Sequence, residues 1–213
     1  PFARMEITFY ASGKSAKGYV SDSEVMWLYT FEKEGALGRL AYASATCELL
    51  NHLLSDQEPQ MPLYNLFIEF LELTETVEKK VLPALFICFF LHLLTNLGYH
   101  LSLTRCVGCE KPTATDDCNV EEFQFSPDRG GIVCRSCQTP AEYYYLLSKE
   151  NARRLVALQN TSLSEATGIP IGYKDAAYLQ DVLTKFTVSQ TGMSGQLKSL
   201  DFLEKLKNGP VLS

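Results

Sequence analysis

The sequence predicts an α+β protein: a small β piece first, then a mainly helical domain interrupted by an inserted metal knuckle. Three observations predict it. Residues 2–10 alternate apolar and polar side chains at strand period. Most of the remaining chain places apolar residues at helical spacing. Two C-x-x-C pairs, Cys106-Val-Gly-Cys109 and Cys134-Arg-Ser-Cys137, face each other across residues 110–133. With 213 residues, 46% of them hydrophobic and 21% charged, the chain can build a core and is not a disordered polymer. Its net charge of −6 gives no global basic field, so any nucleic-acid surface has to be local.

In the first stretch Phe2, Met5, Ile7 and Phe9 are apolar, with Arg4, Glu6 and Thr8 between most of them. The polar run at 11–17 reads as a hairpin loop, and Gly18-Tyr19-Val20 opens a returning strand. Two strands alone are marginal in water. The chain opens at Pro1 directly on a strand, so a preceding segment carrying further strands is expected. Ser21-Asp22-Ser23-Glu24 has the form of a capping box for a helix whose apolar face is Val25, Met26, Leu28 and Tyr29.

After Gly35 and Gly38 a longer helix is expected to about residue 54, with Leu37, Leu40, Ser44, Cys47, Leu50 and Leu54 on one stripe. Further helices follow at about 63–76 and 78–97. The apolar run at 81–94 falls short of the ~20 residues a bilayer span needs and carries Pro83 and His92, so it reads as a core helix. A module at about 104–140 contains a short hairpin. Its strands are Phe123-Gln124-Phe125 and Ile132-Val133, joined by Ser-Pro-Asp-Arg-Gly-Gly. Ser148 caps a helix to about residue 159. Residues 175–189 are amphipathic through Leu179, Val182, Leu183 and Phe186, and a last helix at 196–207 ends at Asn208-Gly209-Pro210.

A C-x-x-C loop sets two sulfurs on one side of a tight turn, and two such loops supply a tetrahedral tetrathiolate. Cys106, Cys109, Cys134 and Cys137 are therefore the predicted ligands of one structural Zn2+ per chain. Two disulfides would suit a secreted chain, which nothing here marks. A redox C-x-x-C usually stands alone. Four thiolates also close the shell that a catalytic zinc leaves open for water. Arg105, Lys111, Arg129 and Arg135 flank the ligands and offset the cluster's negative charge, with a phosphate contact as the sharper alternative. Cys47 and Cys88 read as buried small side chains, and Cys118 as a free thiol in a polar loop.

No glycine-rich nucleotide loop and no G-x-S-x-G elbow occurs. His52, His92 and His100 are scattered; His92 reads as a core residue, and His100 as a possible competing ligand for a shell the cysteines already fill. The acidic pairs Asp116-Asp117 and Glu121-Glu122 read as solvated. No nucleophile–base set forms, so the chain reads as a non-enzyme. With no signal peptide or lipidation motif, a cytoplasmic protein without membrane contact is expected.

Residues 91–109, including Asn96-Leu-Gly-Tyr-His and the first cysteine pair, resemble the zinc-entry segment of the bacterial RecO family. So do residues 125–137, Phe-Ser-Pro-Asp-Arg-Gly-Gly-Ile-Val-Cys-Arg-Ser-Cys. Gly38-Arg-Leu-Ala-Tyr-Ala-Ser44 with Glu48-Leu-Leu50 is similar to that family's first long helix, and the opening strand and Gly-Lys loop to the second half of its OB barrel. The resemblance implies that residues 1–22 are the C-terminal part of an OB-type barrel. It makes 23–213 the helical domain, with its zinc module at 104–140.

It implies a DNA repair and recombination mediator that binds single- and double-stranded DNA, anneals strands and works with RecR. Such a protein helps replace single-strand-binding protein by RecA, and is cytoplasmic and associated with the bacterial nucleoid. An OB barrel needs five strands and about two are visible. Roughly 50 preceding residues would carry the others, with much of the basic groove that tracks a phosphate backbone. Arg4, Lys14, Lys17 and Arg39 are the candidate DNA contacts. Arg153 and Arg154 are the candidate anchor for the acidic tail of single-strand-binding protein. Two alternatives stand beside this: a zinc-ribbon protein adaptor without DNA binding, which fits the acidic balance, and an enzyme using the knuckle as scaffold, for which a dinucleotide fingerprint is missing.

Overall fold

The computed structural model describes residues 2–11, 18–54, 60–113, 121–193 and 197–208. The chain begins as an antiparallel ribbon of β1 (Phe2–Ala11) and β2 (Gly18–Tyr29), with Phe2 opposite Tyr29 and Ala11 opposite Gly18. Register shifts at Arg4/Met5 and Thr8/Phe9 add local twist. Apart from its base, the ribbon is exposed on both faces, and large apolar side chains such as Ile7, Phe9, Val25 and Trp27 stand in solvent. The two strands form a sheet of their own; among the described residues no closed barrel is present.

The helix expected from Ser21-Asp22-Ser23-Glu24 does not form. β2 runs through that tetrapeptide to Tyr29, and so across the expected boundary after residue 22. The serine that would have capped a helix donates its hydroxyl to the carbonyl of Thr8, 3.3 Å away on β1. Val20, Val25, Trp27 and Tyr29 suit a pleated strand, and a ten-residue partner was available to pair with.

At the base, Tyr29 and Phe31 are buried. Phe31 sits at φ 53°, a left-handed conformation that costs a bulky residue energy and is held here by its packing. Its ring lies 5.5 Å from that of Phe2 and 6.3 Å from that of Tyr29. These rings fasten the ribbon to the helical domain.

The helical domain is organised on α3 (Leu82–Asn96), which follows a 3-10 turn at Lys79–Val81. Twelve of its residues are buried, Phe86, Phe89 and Phe90 among them. α1 (Ala36–Leu53), α2 (Met61–Thr76), α4 (Lys149–Gln159), the single turn α5 (Leu163–Ala166) and α6 (Tyr173–Thr191) surround it. α7 (Lys198–Asn208) packs on α1, where Ser199 donates to Glu48 at 3.0 Å. Lys79–Asn96 is long and apolar enough to cross a membrane by length and composition alone, and 67% of that window is buried within the protein's own helices.

The stripe expected on α1 is not the face it buries. Leu37 and Leu40 are exposed, whereas Ala41, Tyr42, Ala43, Ala45, Thr46 and Leu49 are buried. The phenylalanines of α3 fill the space between the helices, so close approach requires small residues opposite them. α5 was not foreseen, although Ser162 and Glu165 form a complete capping box at its start. Ser148 caps α4 as expected, its hydroxyl accepting from the Asn151 amide. Leu179, Val182, Leu183 and Phe186 form the buried face of α6.

Candidate metal centre

The knuckle is built on a three-stranded antiparallel sheet in the order β4-β3-β5. β3 is Glu122–Ser126, β4 is Gly131–Val133 and β5 is Tyr145–Ser148. The β3–β4 hairpin has the expected turn, with Gln124 opposite Val133 and Ser126 opposite Gly131. β5 was not expected; its four residues pair along the other edge of β3.

The first cysteine loop is closed by backbone bonds from Cys106 N–H to Lys111 O and from Glu110 N–H to Cys106 O, each 2.9 Å. Glu110 completes the reversal at φ 59°. Val107 N–H donates to Ile132 O at 2.9 Å, which docks this loop on β4. The second pair leaves β4 into a 3-10 turn at Arg135–Cys137. All four sulfurs then lie within 4.8 Å of one another, the Cys109 and Cys134 sulfurs 3.7 Å apart. A zinc tetrathiolate with ~2.3 Å bonds has sulfur–sulfur edges of about 3.8 Å. All six described cysteines are free thiols, so neither pair is cross-linked.

The donor chemistry also fits a cation. Burial raises the Cys106 thiol, but donors from Cys134, Gly108 and Cys109 overcome it and bring it down to about 6. The Cys134 and Gly108 amides lie 3.2 and 3.3 Å from its sulfur. The Ser136 hydroxyl lowers Cys134. Cys137, beside Cys134 and Cys109, is pushed up to about 12. Four sulfurs this close cannot all ionise against one another, and a divalent cation at their centre removes the conflict.

Close approach requires glycine at two places. A Cβ on Gly108 would lie 2.8 Å from Cys137 Cβ and 2.7 Å from the Arg129 guanidinium. One on Gly131 would collide with the Ser102 carbonyl oxygen, where Ser102 bridges to the edge of β4. Gly131→Ala is expected to push these strands apart and cost about 1–3 kcal/mol, with metal lost at lower chelator concentration. Competition with a chromophoric chelator measures this, and an unchanged curve would refute the crowding argument.

Arginines brace the module. Arg129 donates to Cys137 O at 3.1 Å and approaches Glu142 at 3.8 Å; Arg105 donates to Glu110 O at 3.2 Å. α6 holds the module from the other side. Phe186 packs on Phe125 with ring centres 6.3 Å apart, Gln190 donates to the carbonyls of Pro127 and Asp128, and Tyr145 donates to Asp181. His100 lies against Gln159 at 3.0 Å and does not belong to the cysteine cluster. Cys88 is buried with its thiol 3.4 Å from Leu158 O, while Cys47 is only half-buried. Cys118, with Asp116 and Asp117, lies outside the described residues.

The other predicted site residues are scattered. Arg4 is exposed on β1, and Lys14 and Lys17 lie outside the described residues. Arg39 is corrected: it is 2% exposed and its guanidinium is committed to the backbone. It donates to Glu34 O at 3.1 Å, to Val77 O at 2.7 Å and to Thr74 O. Burial lowers its pKa. A side chain so placed closes the ends of α1 and α2 and cannot reach a phosphate. Arg153 is exposed on α4. Its neighbour Arg154 is engaged by Asp175 and Asn151, both at 2.9 Å, and by Glu150.

Fold and site together define a helical domain carrying an inserted four-cysteine knuckle whose sulfurs could hold a metal ion. Residues 35–201 match the family Recombination protein O C terminal. The chain is 30% identical over 172 residues to the DNA repair protein RecO of Symbiobacterium thermophilum, covering 81% of this chain and 66% of that protein. Against the RecO of Clostridium perfringens SM101 it is 33% identical over 174 residues, covering 80% and 71%. Against that of Chlorobium limicola it is 24% identical over 190 residues, covering 85% and 70%. The chain belongs to the RecO family. It spans about two thirds of the length of the curated relatives it matches.

Proposed function

We propose that this chain is the helical, zinc-bearing part of a DNA repair and recombination mediator that works by binding and not by bond chemistry. The observation that carries the reading is the family match over residues 35–201, within which the four sulfurs converge. In this role the protein holds single- and double-stranded DNA, anneals complementary strands and, with RecR, helps exchange single-strand-binding protein for RecA in the bacterial cytoplasm, at the nucleoid. The ribbon up to Tyr29 is the barrel end of the protein, and its exposed Arg4 a backbone contact. Arg153 on α4 is the candidate anchor for the acidic tail of single-strand-binding protein. Zn2+ held by Cys106, Cys109, Cys134 and Cys137 fixes the knuckle on α6 and takes no part in a reaction.

The net charge of −6 favours a second reading, an adaptor that binds protein only. Binding of labelled single-stranded DNA by the intact protein, measured at several salt concentrations, separates the two. The mediator shows an affinity that falls steeply with salt as counterions are released. No binding at low salt would leave the adaptor.

A further inference from the structure

A cleft of about 580 Å³ opens where the ribbon's exit loop meets the end of α2 and the start of α3. In its lining the exposed Lys33, Lys79 and Lys80 stand against Glu34 and Glu78, with Arg39 buried in the wall, a small local excess of positive charge on an acidic chain. We propose that this cleft is a binding site for the phosphodiester backbone of single-stranded nucleic acid. The assignment rests on the nucleic-acid-binding function proposed above and gives it a place on the helical domain.

The cleft walls are fixed in advance. Arg39 ties Glu34, Thr74 and Val77 together through their carbonyls, and Lys33 Nζ holds Thr76 O at 3.2 Å. Those bonds occupy the carbonyls at the end of α2 that would otherwise repel an anion. Gly35, at φ +82°, lets the stem of Lys79 lie across it; a Cβ there would sit 3.0 Å from Lys79 Cδ. The two lysines of the 3-10 turn are only loosely engaged. Lys79 is 4.0 Å from a Glu34 side chain that is 88% exposed, and the Lys80–Glu78 pair, at 2.7 Å, is more than 70% exposed on both sides. Exposed pairs of this kind contribute little, so a phosphate displaces the carboxylates at small cost.

The backbone adds donors. α1 and α6 both begin beside the cleft, and neither start has a side-chain cap. Their first amides and dipoles favour negative charge. Tyr173, the first residue of α6, lines the cleft and is 44% exposed, an aromatic residue on which a base can stack whatever its identity. Val77 is the one aliphatic residue in the described lining. An acidic peptide with apolar anchors would find no pocket for them there.

The test is a salt titration of labelled single-stranded DNA with the intact protein, its Lys79→Gln/Lys80→Gln variant, and a control with Lys185→Gln/Lys205→Gln. Metal content and helical circular dichroism are checked for each. The cleft variant is expected to keep both and bind about 10-fold more weakly at low salt. Its log–log salt slope should be smaller by about 1.4, two single-strand phosphate contacts. An unchanged slope in a wild-type protein that binds DNA overturns the cleft and leaves the mediator standing. An equal loss in the control pair also overturns it, as diffuse charge. Absence of DNA binding by the wild type overturns both. Capture of an acidic peptide by the wild type and not by the cleft variant, with DNA binding equal in the two, assigns the cleft to a protein partner instead.

Discussion

Replacing Cys134 with serine is expected to abolish metal binding, from about one zinc per chain to near none, and to loosen the knuckle while the helical core persists. Serine keeps the size of the side chain but supplies no thiolate. The three remaining sulfurs would stay within reach of one another, with an open position that water fills poorly for a structural ion. The zinc-binding free energy is folding free energy for the segment that carries the ligands. α3 and its neighbours bury their own apolar surface and do not depend on the ion. Helical circular dichroism should therefore change little, while amides of β4 and of residues 105–110 exchange much faster. The urea midpoint should fall by the equivalent of about 2–4 kcal/mol. A variant that keeps its zinc, or loses it with exchange unaltered, would show that these cysteines do not hold the module together.

Arg39→Met is expected to be nearly as damaging, and through folding alone. The substitution keeps an unbranched stem and removes donors from three backbone carbonyls at Glu34, Thr74 and Val77. Each charge-assisted bond contributes about 1.5–3 kcal/mol and a buried acceptor left empty costs more, so a total of about 3–5 kcal/mol follows. In urea that is a midpoint shift of about 1–2 M. Arg39→Lys restores one donor direction at most and should recover less than half. A full-stability Arg39→Met protein whose DNA-binding salt slope fell by one contact would return Arg39 to the phosphate-binding set and refute the clamp.

Arg39 illustrates why some of the site was not legible in the sequence. An arginine four residues past Gly35, beside exposed leucines, has the composition of a surface charge. What buries it is the arrival of the α2 carboxyl end, from residues 74–77, with unsatisfied carbonyls. The cleft shares this origin, since its lining comes from residues 33–39, 76–80 and 173. Ser162-x-x-Glu165 is a different case: the capping signal is present in the sequence, but the helix it opens is one turn long and too short to show an apolar period. Ser21-x-x-Glu24 carries the same signal, and there a strand partner prevailed over it.

The convergence of the four cysteines belongs to the part that was legible in sequence alone. Two-residue spacing within each cysteine pair fixes local loop geometry, and thiolate chemistry leaves few other uses for four such sulfurs, so neither needed the rest of the fold. The helices at 61–76, 82–96 and 173–191 were likewise readable, because their apolar periodicity is local. Only the tertiary structure decided which face of α1 turns inward, that residues 21–29 extend instead of coil, and that Arg39 closes helix ends. Each depends on the shape or the unpaired hydrogen-bonding groups of a segment distant in the chain, and local spacing carries no record of that neighbour.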